Sequence, residues 1–297
     1  MFTEHDVTDQ SGKTFVVTGS NTGLGFHTAR VLAERGARVL LACRSSEKAQ
    51  AAMSEIRNSA PNANLGFVAL DLNDLDSARA AATQIAAEPR LDCLINNAGL
   101  MVPPLQRTKQ GFESQMGVNH LGHFALVGHL MPKILGDGTR VVSVSSLAHK
   151  NGVFDFDDLH AHNSYKRGQR YSASKLANMM FGLELDRRLK AQNASAVSVI
   201  AHPGVAATEL SRYIPNVIPG AMALVGMLLN SAAQGAWPSL MAATTEVTGG
   251  EYFGPQGFYE ARGKAGPAKI AGRARKDDVA RKLWAVSIAA TGVDPGI

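Results

Sequence analysis

Cysteine is nearly missing: Cys43 and Cys93 are the only two in 297 residues. Neither belongs to a CxxC or Cys/His spacing, which excludes a disulfide framework and a cysteine-based zinc site. Both fall in apolar, strand-like runs and read as buried, reduced thiols, the usage of a cytoplasmic protein. Long apolar runs are missing too. The most apolar late stretch, residues 217–229, is broken by Pro219 and Gly220. It is shorter than the roughly 20 residues that cross a bilayer. The opening MFTEHDVTDQSGK is polar and carries no apolar signal core, so no membrane anchor is expected. There is no internal repeat. His120 and His123, and His160 and His162, lie close in sequence but have no third ligand at metal spacing, so no metal is expected.

What is present suits a filled core. Hydrophobic residues make up 45% and charged residues 19%, which excludes a disordered chain. The length allows one large α/β domain or two small ones. The formal net charge is +5. The basic excess gathers late, in Arg262, Lys264, Lys269, Arg273, Arg275 and Lys276, away from aromatics. It reads as a solvated basic tail, and no nucleic-acid partner is expected.

Strand-like and helix-like segments alternate. Strands are predicted at residues 14–18, 38–42, 66–70, 91–95, 140–144 and 196–201. Helices are predicted at 24–35, 46–58, 73–87, 112–135, 171–191 and 277–292, the last capped by Asp277 and ended by Gly292. The strand cores are continuously apolar, as strands covered on both faces should be. Strands separated by helices form right-handed βαβ units. The expected fold is therefore α/β: a single-domain Rossmann fold spanning 1–297, a doubly wound parallel sheet with helices on both faces.

The first strand runs into TGSNTGLG, residues 18–25. Strand, glycine turn, helix is the context in which this pattern binds a dinucleotide. Gly19 permits the sharp turn, Gly23 lets backbone approach a pyrophosphate, and Gly25 lets helix pack on sheet. Asn21, Thr22 and Leu24 complete the turn, and the helix N-terminus offers N–H groups to the anion. The second strand ends in Arg44 and Ser45, with no carboxylate for the ribose 2′-hydroxyl of NAD(H). A cation there suits the 2′-phosphate, so NADP(H) is the preferred cofactor, with NAD(H) possible. Tyr171 and Lys175 lie one helical turn apart on one face. The lysine's charge favours the phenolate, which allows the phenol to move a proton near neutral pH.

These residues resemble the short-chain dehydrogenase/reductase family, over roughly residues 12–260, and further motifs match in its order. The resemblance implies that Asp71 and Leu72 contact the adenine, and that Asn97, Ala98 and Gly99, after Asn96, support the cofactor. It implies that Pro203, Gly204 and Thr208 hold the nicotinamide end. In the family mechanism Tyr171 is the acid/base, Lys175 lowers its pKa and binds the ribose, and Ser146 polarises the substrate oxygen. Asn119, in GVNHLG at 117–122, holds the water that links Lys175 to a proton relay. Ser146 and Tyr171 are 25 positions apart, wider than in short family members. The intervening segment, with LAH after the serines, LAN after the lysine and YFGP at 252–255, is similar to the retinol-dehydrogenase and protochlorophyllide-reductase-like subgroup. That implies a hydrophobic alcohol or carbonyl substrate. It also implies a lid at 209–230 with an apolar wall of Met222, Leu224, Val225, Met227 and Leu228, and a C-terminal extension at 255–297. Relatives pair segments equivalent to 112–135 and 171–191 across subunits, so a homo-oligomer is possible. His149 and His202 lie beside the expected site, either touching substrate or serving as structural strand-end histidines. The alternative function is a catalytically silent NADPH-binding sensor or scaffold.

Overall fold

The apolar runs form strands β1 (Thr14–Thr18), β2 (Arg38–Cys43), β3 (Leu65–Ala69), β4 (Cys93–Asn96), β5 (Arg140–Val144) and β6 (Val197–Ala201). Two more, β7 (Tyr252–Gly257) and β8 (Arg262–Pro267), complete one eight-stranded sheet in the order β3-β2-β1-β4-β5-β6-β7-β8. All neighbours are parallel except β7 and β8, which are antiparallel. A computed structural model describes residues 1–205 and 230–297.

Alternation along each strand builds two cores. Phe15 and Val17 of β1 pack with Phe26, Leu32 and Leu240 on one face, while Val16 packs with Ile85, Phe124 and Leu130 on the other. Helices α1 (Gly23–Glu34), α2 (Ser46–Ser59) and α6 (Ala232–Thr244) cover the first face. Helices α3 (Leu75–Ala86), α4 (Gly122–Asp137) and α5 (Arg167–Ala191) cover the second. Helix α7 (Asp277–Thr291) lies outside α4 and α5 and sets Trp284 against Phe124 and Phe181.

Between β1 and β4 the winding reverses direction. The crevice at the carboxyl ends of these two strands is where open α/β sheets bind ligands. The glycine turn after β1 and Asn97 after β4 both sit there.

Three expectations change. The 112–135 helix is divided into a turn at Ser114–Met116, a π-turn at Gly117–Leu121, and α4. The late basic side chains are exposed but belong to no loose tail: Arg262 and Lys264 lie on edge strand β8, and Arg273 donates to the Gly152 carbonyl at 2.6 Å. Charge on an edge strand discourages pairing with other chains. Asp277 is the first residue of α7 rather than its cap, and it pairs with Arg187. Gly292, at φ +67°, ends the helix as expected.

Candidate active site

Gly19 follows β1 at φ +66°, the left-handed region that favours glycine. A Cβ on Gly19 would stand 2.9 Å from the Ala98 Cα, and one on Gly25 would stand 2.5 Å from both the Gly19 carbonyl and Asn97 Nδ2. Thr18 and Asn97 hold the two strand ends together. The backbone N–H groups of Asn97 and Ala98 donate to Thr18 Oγ1 at 2.9 Å each, and Asn97 Nδ2 donates to the Thr18 carbonyl at 2.8 Å. Gly25→Ala forces this junction apart. The variant is expected to lose about 1–3 kcal/mol of stability through overpacking and its dinucleotide binding with it. Thermal melting with and without NADPH checks both.

A cleft of about 800 Å³ opens from this turn. Asn21, Thr22, Gly23 and Leu24 line its phosphate end. Helix α2 is capped by Ser45 and α3 by Asp74, but Thr22 makes no side-chain cap on α1. The first N–H groups of α1 therefore face the cleft without a capping side chain, as a diphosphate requires. Arg44 and Lys48, both exposed, line the wall beyond the end of β2. Lys48 was missed from sequence; it lies one turn into α2, and only the fold aims it at the cleft. The Ser45 hydroxyl accepts the Lys48 N–H at 3.2 Å as the cap of α2. Asp71 and Leu72 line the cleft, with the Asp71 carboxylate accepting from Asn73 N and Nδ2 at 3.0 Å each.

The far end of the cleft is lined by Gly99, Ser145, Tyr171, Lys175 and Pro203. Tyr171 and Lys175 are both buried on α5, with Lys175 Nζ 5.9 Å from the phenol ring centroid. Lys175 Nζ donates to the Val144 carbonyl at 3.2 Å, and Asn178 Nδ2 donates to the same oxygen at 3.0 Å. The Ser145 hydroxyl donates to the Lys175 carbonyl at 2.8 Å. Helix α5 is thus tied to the end of β5 at Lys175 and at Asn178. Ser146 begins the 3₁₀ turn Leu147–Asn151, and its oxygen accepts the Ala148 N–H at 3.2 Å. Among the described residues its own proton has no acceptor.

Asn119 lies in the π-turn, fully buried beneath Gly99. Its Nδ2 donates to the Leu100 carbonyl and to Ser174 Oγ, each at 2.9 Å, and its Oδ1 accepts the Leu100 N–H at 2.6 Å. Both amide protons are therefore spent. A Cβ on Gly99 would stand 3.1 Å from Asn119 Oδ1 and 3.5 Å from Lys175 Nζ, so glycine lets the backbone sit against both. Gly204 makes a turn at φ +76° just beyond Pro203. Thr208 and the 209–229 part of the expected lid lie outside the described residues.

The long spacing between Ser146 and Tyr171 is ordered chain. Arg170, next to Tyr171, pairs with buried Asp158 at 2.8 Å, and Arg107 donates to the Ala161 carbonyl at 3.0 Å. His149 and His202 are completely buried and serve the structure. His149 bonds the Ser146 carbonyl at 2.7 Å, and His202 accepts the Gly204 N–H at 3.2 Å; burial pushes the His202 pKa down to about 3. Cys43 and Cys93 are unpaired and buried, which pushes their thiols up to about 11 and about 12. Among the described residues no His, Cys, Asp and Glu cluster could hold a metal, and no helix is long and apolar enough to cross a membrane.

Residues 13–217 match the family model for short chain dehydrogenase. The chain is 42% identical over 278 residues to retinol dehydrogenase 11 of Homo sapiens, covering 93% of this chain and 85% of that protein. It is 41% identical over 297 residues to human retinol dehydrogenase 13, covering 95% and 86%. The crystal structure of an uncharacterised protein from Mycobacterium paratuberculosis superposes with a TM-score of 0.84 at 36% identity, covering 100% of this chain and 99% of that one.

Proposed function

The chain belongs to the short chain dehydrogenase family, in its retinol-dehydrogenase-like subgroup, as an oxidoreductase acting on CH–OH groups with NAD(P); within that frame we propose that it prefers NADP(H), acts on a hydrophobic alcohol or carbonyl compound, and uses Tyr171 as general acid/base. One observation carries the reading. Tyr171 and Lys175 are buried together at one end of the cleft whose other end is the uncapped N-terminus of α1.

The residues present fit the dinucleotide. The α1 amides and the Gly19–Gly25 turn would hold its diphosphate. Arg44 and Lys48 would hold the 2′-phosphate, Asp71 and Leu72 the adenine side, and Pro203 and Gly204 the nicotinamide end. When bound, the cofactor supplies hydride chemistry. Lys175 holds positive charge beside the phenol and so favours its ionised form. Tyr171 then gives a proton to the substrate oxygen in reduction, or takes one from the alcohol in oxidation. Ser146 donates its hydroxyl proton to the same oxygen and stabilises charge there. With the Asn119 side chain engaged, a relay water would have to share its backbone carbonyl with His123 Nδ1, 3.0 Å away. The apolar substrate would meet Leu100 and Met101, which line the cleft beside Gly99.

The buried, unpaired cysteines support a reducing, cytoplasmic setting. Self-association through α4 and α5 would have to use the surface that α7 leaves open. Fluorescence titration with NADPH and NADH tests the cofactor reading. The wild type is expected to bind NADPH more tightly. Arg44→Ala is expected to weaken NADPH about tenfold, or ~1.4 kcal/mol, with little change for NADH. Equal losses for the two cofactors would remove Arg44 from the phosphate contact.

A further inference from the structure

Thr18 Oγ1 already accepts two backbone N–H groups, from Asn97 and Ala98, each at 2.9 Å. A hydroxyl has two lone pairs and one proton. With both lone pairs engaged, its proton turns to its third partner, His123 Nε2 at 2.9 Å. Nε2 is then an acceptor, so the neutral ring carries its proton on Nδ1. That atom lies 3.0 Å from the Asn119 carbonyl and donates to it. The ring is 2% exposed, and burial, aided by the charge of Lys175, pushes its pKa down to about 4. The tautomer is thus set by three neighbours, and the ring stays neutral at any working pH.

This places one imidazole between the cofactor turn and the relay residue. The π-turn supplies the room: in its wide loop the Gly122 N–H reaches back to the Gly117 carbonyl. An apolar residue at position 123 would fill the space but leave the Thr18 proton and one Asn119 lone pair without these partners, at a cost that buried polar groups rarely carry. We propose that His123 is a positioning residue for proton transfer, holding the Asn119 peptide, and through it Leu100 and Ser174, in fixed relation to the Thr18–Ala98 junction under the cofactor. The inference rests on the oxidoreductase reading above. His123 touches neither substrate nor cofactor; it acts through Asn119.

Two shorter side chains separate its two bonds. Asn at position 123 places its amide nitrogen where Nδ1 sits and can keep the Asn119 bond. Gln places its amide oxygen where Nε2 sits and can keep the Thr18 bond. His123→Phe is expected to lower kcat about 10- to 100-fold, the cost of a small misplacement, with KM unchanged. His123→Asn is expected to recover kcat relative to His123→Phe, and His123→Gln is not. In the unliganded protein, the ¹⁵N shifts of His123 are expected to show a protonated Nδ1 and a bare Nε2. Equal losses in the Asn and Gln variants that follow their melting temperatures overturn the proposal, as does a protonated Nε2. A wild-type chain without turnover on any apolar carbonyl sinks the functional reading as well. Wild-type turnover matched by His123→Gln sinks the positioning role alone.

Discussion

Tyr171→Phe is expected to lower turnover about 10²–10⁴-fold, the usual worth of a positioned general acid, while NADPH still binds. The substitution removes one hydroxyl and keeps the buried ring. The surroundings stay in place: Lys175 remains bonded to the Val144 carbonyl, and Ser145 still donates to the Lys175 carbonyl. Arg170 still anchors the first turn of α5 to Asp158. The glycine turn is held by the bonds among Thr18, Asn97 and Ala98, so that end of the cleft keeps its shape. NADPH consumption with an apolar aldehyde, beside a fluorescence titration of the same sample, reads the two effects separately. A variant that binds NADPH and turns over like the wild type shows that the proton comes from another group.

Trp284→Ala is expected to destabilise the chain by about 3–5 kcal/mol, the range for emptying a buried aromatic site. Trp284 is 3% exposed. Its ring stacks on Phe181 at 5.9 Å, meets Phe124 edge-on at 5.1 Å, and carries the Arg188 guanidinium 4.4 Å above it. The cation over the ring adds to the loss. Phe181 and Arg188 lie on α5, and one turn along α7 Ser287 bonds His120 in the π-turn at 2.8 Å. Helix α7 therefore backs both elements that carry the proposed catalytic side chains. The denaturant midpoint is expected to fall sharply, while turnover per folded molecule at low temperature changes little. A stability loss below about 1 kcal/mol would mean that α7 is not part of the cooperative core.

The strands that were readable from sequence share one property. β1 and β5 (TFVVT and RVVSV) are β-branched, apolar and covered on both faces, and they fall at the residues expected. β7 and β8 (YFGPQG and RGKAGP) carry glycine and proline with few apolar residues; β8 is the edge strand, and β7 pairs with β6 only at Tyr252 and Phe253. Nothing in their local pattern marks them as strands. Helix α6 was missed for a related reason: it follows the most apolar late stretch, 217–229, with only a Ser231–Gln234 capping box to announce it. The glycine turn, Arg44 and the Tyr171–Lys175 pair were legible because each needs a fixed residue type at a fixed spacing. Lys48, Gln115 and His123 were not. Gln115 is fully buried, accepting the Val102 N–H and donating to Tyr165 Oη and the Arg167 carbonyl, but in sequence it is an ordinary glutamine. His123 looked like half of a histidine pair without a third ligand. Only the crossing of β1, β4 and the π-turn brings Thr18 and Asn119 to its two nitrogens.

Tyr171 and the cleft are proposed to reduce an apolar carbonyl group together. The direct measurement offers the purified chain NADPH deuterated at the transferable position, with a panel of apolar aldehydes and ketones. The product is then analysed for deuterium at the former carbonyl carbon. One deuterium is expected on that carbon with the wild type, less from NADH, and almost none with Tyr171→Phe. Tight NADPH binding with no label in any product would contradict it and leave a nucleotide-binding protein without this chemistry.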